Sequence, residues 1–243
     1  VETTHRPARP GWLPKNAAHE ALVVWALLFG AVVLAFIFYR PAAKIVATVG
    51  FLYLPLMAVQ HRGEDWPDYG LSMRQLGKDL RFFLAMSALV FPLFIAGYVA
   101  FTWAWPQFPA EWVRLLTPYT GAPHFEFRLP DRFTEWVIDD VFVVALPEEF
   151  FYRGYIQTRL RDLWPKGRLF LGARLGPAFW VTAVLFALGH LAIFQVWRLG
   201  VFFPALLFGW MRERSNSIVA PALFHALANL LIKILDASFF GRV

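Results

Sequence analysis

Apolar stretches bounded by charge, Pro or Gly recur along the chain, most of them close to the roughly 20 residues a helix needs to cross a hydrocarbon core of roughly 30 Å. Seven such stretches occur, at residues 21–39, 43–60, 82–105, 136–156, 177–197, 199–211 and 218–240. The sixth is short and the third is long enough to tilt. Trp12, Trp103, Trp105, Trp136, Trp164, Trp197 and Trp210 fall at or near predicted span ends, where an indole sits between headgroup and tail. The pattern predicts an all-α, polytopic membrane bundle of about seven to eight transmembrane helices.

Composition supports that reading. The 243 residues are 58% hydrophobic and 16% charged, with a mean hydropathy of +0.50, a mix that excludes a water-soluble enzyme and a disordered chain alike. There is no cysteine, so neither a disulfide scaffold nor thiol chemistry is available. No repeat, low-complexity tract or linker divides the chain, so residues 1–243 are expected to form a single integral membrane domain.

The net charge of +6 reads as basic loops facing anionic lipid rather than as a nucleic-acid surface. Placing the N-terminus in the cytoplasm puts 15 Lys and Arg inside and 7 outside, so the expected orientation has residues 1–20 as a cytoplasmic segment and the C-terminus outside. The first apolar stretch is longer than the core of a secretory signal, and six more spans follow. It reads as a retained anchor.

Ionisable groups inside a span cost a few kcal/mol on insertion scales and mark function until a partner is found. Three spans carry them, with Glu148 and Glu149 ahead of Arg153 in the fourth, His190 in the fifth, and His225 and Asn229 in the seventh. Glu149 and Arg153 are four apart with the acid first, the favourable order for a helical ion pair. Glu148 is turned about 100° from Glu149 and has no intrahelical cation, and Pro147 before it can kink the helix. His225 and Asn229 share one helical face. Asp139 and Asp140 are expected nearer the outer end of their span, and Asp236 and Lys233 close enough to an interface to be solvated, so all four are expected to be non-catalytic.

A carboxylate in an apolar pocket suits a general base that activates water and later returns the proton. His190 can hold the water or share the proton, and His225 with Asn229 can donate to the oxyanion of a tetrahedral intermediate. Neither Ser217 nor Ser238 sits in a nucleophile elbow. Taken singly, an intramembrane His is as often a bridge between helices, an Asn packing glue, and a Glu–Arg pair a specifier of fold. Their appearance together favours catalysis. A proton-coupled transporter would spread such groups over both halves of the chain, and a non-catalytic immunity or scaffold protein is expected to lose at least one of the four polar residues.

Glu-Glu-x-x-x-Arg at 148–153, Phe-x-x-x-His at 186–190 and His-x-x-x-Asn at 225–229, in that order on successive apolar helices, resemble the CPBP family of intramembrane endopeptidases. That family includes the CAAX prenyl endopeptidases and bacteriocin-processing proteins. The resemblance covers residues 136–240, the helices that carry the motifs. It implies a glutamate-dependent peptidase with Glu148 as the base, His190 beside it at the water, His225 and Asn229 at the oxyanion, and Glu149 and Arg153 in support. No cofactor is implied. One Glu and two His can chelate zinc, but the His-Glu-x-x-His helix of a zincin is missing. The implied partners are the bilayer and a membrane-associated protein or peptide, lipidated or bearing a C-terminal sorting tail as in the myxosortases. Val1 fits a bacterial alternative start codon, and a bacterial cytoplasmic membrane is the expected location.

Overall fold

The computed structural model describes residues 16–119 and 121–241. The expectations for Trp12 and for most of the 1–20 segment fall outside the described residues. Helix α1 (Ala17–Phe38) starts where the Asn16 side chain accepts hydrogen bonds from the Ala18 and His19 amides. It turns at Tyr39 straight into α2 (Arg40–Arg62), which has Pro41 in its first turn and stops at Gly63, whose φ of 65° is the left-handed cap. Then come α3 (Leu76–Ala104) and the short α4 (Ala110–Leu116). A continuous helix over residues 133–163, here α5, follows, then α6 (Pro177–Gly189), α7 (Phe202–Ser215) and α8 (Val219–Phe240). An antiparallel hairpin of β1 (Arg168–Phe170) and β2 (Ala173–Leu175) pairs Leu169 with Arg174, turning through Leu171 and Gly172 at positive φ.

The predicted all-α membrane bundle is what forms, with a helix at each of the seven apolar stretches. Among the described residues, four elements are long and apolar enough to cross a membrane: α1, α2, α3 with its extension to Gln107, and α8. Their outward faces carry Leu27, Leu34, Leu84, Leu89 and Leu93, all exposed, as helices facing hydrocarbon should. The other three stretches lack that length or apolarity. Residues 177–197, predicted as one span, hold only the 13-residue α6, which ends at Gly189. The chain then makes two 3₁₀ turns, His190–Ile193 and Val196–Val201, separated by Phe194 in the left-handed region. Broken backbone of this kind is tolerated at membrane depth where it lines a cavity.

Successive long elements alternate in direction, so the bundle has two ends. At one, the start of α1 meets the end of α2 through Glu20–Arg62 (2.6 Å), and Glu64 meets Arg159 at the end of α5 (2.8 Å). At the other, Lys44 near the start of α2 binds Asp139 near the start of α5 (2.6 Å), and the Tyr98 hydroxyl on α3 donates to Asp236 on α8 (2.6 Å). Trp105 at this second end is not part of an interfacial belt. It is 4% exposed and packs edge-on against Tyr119 and Phe240, whereas Trp103, on the lipid side of the same helix, is exposed.

Helix α5 is unusual along its length. Asp139–Ala145 and Phe150–Ile156 are π-helical, and the four α-helical residues between them include Pro147, Glu148 and Glu149. A π segment widens the helix and shifts the direction of the residues after it, and such segments concentrate at functional sites. The Val143 carbonyl in the first of them accepts a hydrogen bond from the Thr48 hydroxyl of α2.

Candidate active site

Pro147 has no amide hydrogen to donate, so the helical ladder is already one bond short where Glu148 and Glu149 stand. Adjacent positions on a helix diverge, and the two carboxylates meet different surroundings. Glu149 is fully buried. Its Oε1 lies 3.0 Å from Arg153 Nη1, as the four-residue spacing predicts, and also 3.0 Å from His225 Nδ1 on α8. Arg153, itself fully buried, lies over the rings of Phe186 and Phe208 at 4.2 and 5.3 Å, and its Nη2 donates to the Ala205 carbonyl. Phe208 stacks on His225 with centroids 4.7 Å apart. Two aromatic faces and a carboxylate thus compensate a guanidinium that would otherwise be costly to bury.

Glu148 points into a cavity of about 620 Å³ enclosed by α1, α2, α5, the turns after α6, and α8. Its side chain is 15% exposed, and its buried Oε2 has no hydrogen-bond partner among the described residues. The same oxygen lies 4.0 Å from His225 Nε2. His190 and Asn229 line the cavity with Glu148, among apolar walls that include Trp25, Phe29, Phe51 and Phe151.

His190 is not near the centre of a transmembrane helix, as the span boundaries predict. It sits just past the end of α6, where its Nδ1 lies 2.8 Å from the Phe186 carbonyl. A carbonyl only accepts, so Nδ1 carries the proton and, in the neutral ring, Nε2 keeps the lone pair. The same reasoning fixes His225, whose Nδ1–H donates to the Glu149 carboxylate and leaves Nε2 toward Glu148.

The structure therefore brings Glu148, His190 and Asn229 to one cavity, and puts Glu149, Arg153 and His225 in a buried layer behind the first of them. His225 does not share a cavity wall with Asn229, as their common helical face suggests. Its ring is held back by Glu149 and Phe208. Among the described residues no three His, Asp or Glu side chains form a group able to hold a metal ion.

Two groups set aside as non-catalytic line the cavity. Asp139 and Asp140 both line it, and Asp140 is 1% exposed, bound by Lys233 at 2.5 Å. Lys233 lies over the Trp136 ring. The sequence spacing of seven apolar stretches puts these charges near a helix end, but not beneath the side chain of another helix. Phe208, Tyr152 and Arg198 are further site residues that sequence reasoning missed. Phe208 is one apolar residue among many on α7, and Tyr152 and Arg198 enter the cavity wall only through the folding of α5 and of the turns after α6.

Residues 131–231 match the family model described as type II CAAX prenyl endopeptidase Rce1-like, a segment that holds all three sequence motifs. No curated protein and no solved structure matches the chain.

Proposed function

We propose, from the premise that residues 131–231 are an Rce1-like domain of a CPBP intramembrane endopeptidase, that this protein hydrolyses a peptide bond of a membrane-associated substrate with Glu148 as its general base. The observation that carries the reading is the Glu148 side chain, 15% exposed, reaching an apolar-walled cavity that His190 and Asn229 also line.

In the proposed reaction Glu148 takes a proton from a water molecule whose second hydrogen is accepted by His190 Nε2. The hydroxide oxygen bonds to the carbonyl carbon, and the carbonyl π electrons move to oxygen to give a tetrahedral oxyanion. The Asn229 amide donates to that oxyanion. Glu148, now protonated, passes its proton to the amide nitrogen as the C–N bond breaks, which returns the carboxylate and releases an amine and an acid. Oxyanion donation by His225 requires its imidazolium, because Nδ1–H is committed to Glu149 and only a second proton makes Nε2 a donor. No step needs a metal ion. Cleavage near a C-terminal anchor in a bacterial cytoplasmic membrane, with the N-terminus inside, fits this reading.

The test is Glu148→Gln, assayed by mass spectrometry of protein termini in membranes holding equal amounts of folded wild type and variant. Loss of the base should slow turnover by about 10²- to 10⁴-fold, and termini produced by the wild type should vanish. Undiminished cleavage by the variant would overturn the mechanism. Activity is expected to survive exhaustive chelation.

A further inference from the structure

The lining of the cavity reaches one end of the bundle and stops short of the other, which makes the first its open end and the second its closed one. Its lining runs from Trp25 and Leu28 to Phe36 and Arg40 along α1, and from Phe51 to Lys44 along α2, so it leads from mid-helix to the end where α1 turns into α2. On α5 it runs from Tyr152 back to Asp139 and Trp136, and on α8 from Asn229 to Lys233, toward that same end. None of the groups that tie the opposite end together lines it. That end is sealed by buried Tyr69, Tyr155, Ile156 and Leu160 beneath the Glu20–Arg62 and Glu64–Arg159 pairs.

The two ends differ in basic residues. The connections at the sealed end, in residues 62–81, 159–174 and 212–214, hold 11 Lys and Arg, among them Arg74, Lys78, Arg168 and Arg214. The connections at the open end, in residues 40–44, 105–135 and 190–201, hold 6. Arg153, counted with the cytoplasmic loops when the sequence is read alone, is buried in the middle of α5, and Arg159 and Arg212 are buried too; without those two the sealed end still holds 9 against 6. Lys and Arg accumulate in short cytoplasmic connections because they resist translocation.

We infer that the catalytic cavity opens on the non-cytoplasmic face of the membrane, and that its substrate is a membrane-anchored polypeptide whose scissile segment reaches the site from that face. This rests on the endopeptidase reading for the chemistry, and on charge and cavity shape for the side. A cytoplasmic peptide would meet the sealed end. A segment already translocated, with its anchor beside the bundle, meets the mouth bordered by Arg40, Lys44 and Arg198.

The chain has no cysteine, so single-cysteine variants need no altered background. Val196→Cys places an exposed thiol in the turns at the open end, and Arg168→Cys places one on the hairpin at the sealed end. Both are treated with a membrane-impermeant maleimide in right-side-out and in inverted membrane vesicles. The inference expects Val196→Cys to label in right-side-out vesicles alone and Arg168→Cys in inverted vesicles alone. The reverse pattern, or equal labelling of each in both preparations, overturns it. A paired assay uses two anchored reporters, each with the same cleavable segment, one on each side of the membrane. Cutting of the non-cytoplasmic reporter, lost in Glu148→Gln, supports the inference, and cutting of the cytoplasmic one alone overturns it. If the labelling is as expected but neither reporter is cut, the endopeptidase reading fails and so does the substrate assignment, while the sidedness of the cavity stands.

Discussion

Glu149 is held by two cationic or hydrogen-bonding partners from different directions, and this separates its role from that of its neighbour. The pair with Arg153 is entirely buried, so removing one member strands the other without water or counter-ion. Arg153→Met should destabilise the protein by about 3–5 kcal/mol, seen as a lower unfolding temperature in detergent. Replacing both charges, in Glu149→Leu with Arg153→Met, should recover much of that stability, since a well-packed apolar pair does not pay the desolvation cost of an ion pair. Activity should stay low in the double variant, because the His225 ring loses the carboxylate that orients it toward Glu148. A double variant as active as the wild type would show that the buried layer serves folding alone. A neighbouring pair of acids, read from sequence as one base and one structural group, is thus divided by environment: a side chain that reaches the cavity against one whose Oε1 is held by Arg153 and His225 behind it.

At the scale of elements, the proposed catalysis depends on how closely α5 and the end of α6 approach. A Cβ added to Gly189 would stand 2.4 Å from the Tyr152 hydroxyl, and both residues line the cavity next to His190. Gly189→Ala should therefore push the Tyr152 ring or the start of the turn carrying His190, and lower activity by about tenfold or more. Adding Tyr152→Phe removes the clashing oxygen and leaves the next atom at an ordinary 3.6 Å, so it should restore most of the loss. Failure of that rescue in a steady-state assay would mean the glycine is needed for its backbone rather than for space. Elements also show where sequence reading reaches its limit. Helices α1, α2, α3 and α8 follow directly from long apolar runs, because lipid imposes a length and a composition on any helix it surrounds. The motifs on α5, α6 and α8 are equally legible, since buried charge is rare enough in such runs to stand out. The π segments of α5 and the break after Gly189 were not legible. Both depend on packing against other helices, and neither leaves a periodic signature in an almost wholly apolar sequence. The same limit explains Asp140 and Lys233, whose pairing between α5 and α8 requires knowing which helices are neighbours.

Across the whole molecule the two ends are built differently: an open, charged mouth lined by Arg40, Lys44, Arg198 and Lys233, and a closed end fastened by ion pairs over an aromatic layer. The closed end has a pH dependence of its own through Glu64, in the connection after α2. Burial acts to raise the Glu64 pKa, but hydrogen bonds from Arg159 and Tyr69 and the charges of Arg159 and Arg62 outweigh it, and the carboxyl ends below its ordinary value of 4.5. A group whose pKa is depressed by folding contributes stability that is fully present above the unfolded value and lost as pH falls through the folded one. Glu64→Gln should therefore unfold at a lower temperature than the wild type at about pH 7, and the gap should narrow steadily below about pH 4.5 as the wild-type carboxylate is protonated. Paired melting curves in detergent from about pH 7 to about pH 3 read this directly. A gap that stays constant with pH would mean the loss comes from packing of the Gln side chain against Tyr69, with no contribution from the charge on Glu64. Because the Arg159 guanidinium that holds Glu64 stands at the end of the helix that carries Glu148, the ion pair anchors that helix at the end remote from the mouth. Glu64→Gln should then lower turnover only near the variant's own unfolding range, whereas changes at Gly189 should act at every temperature.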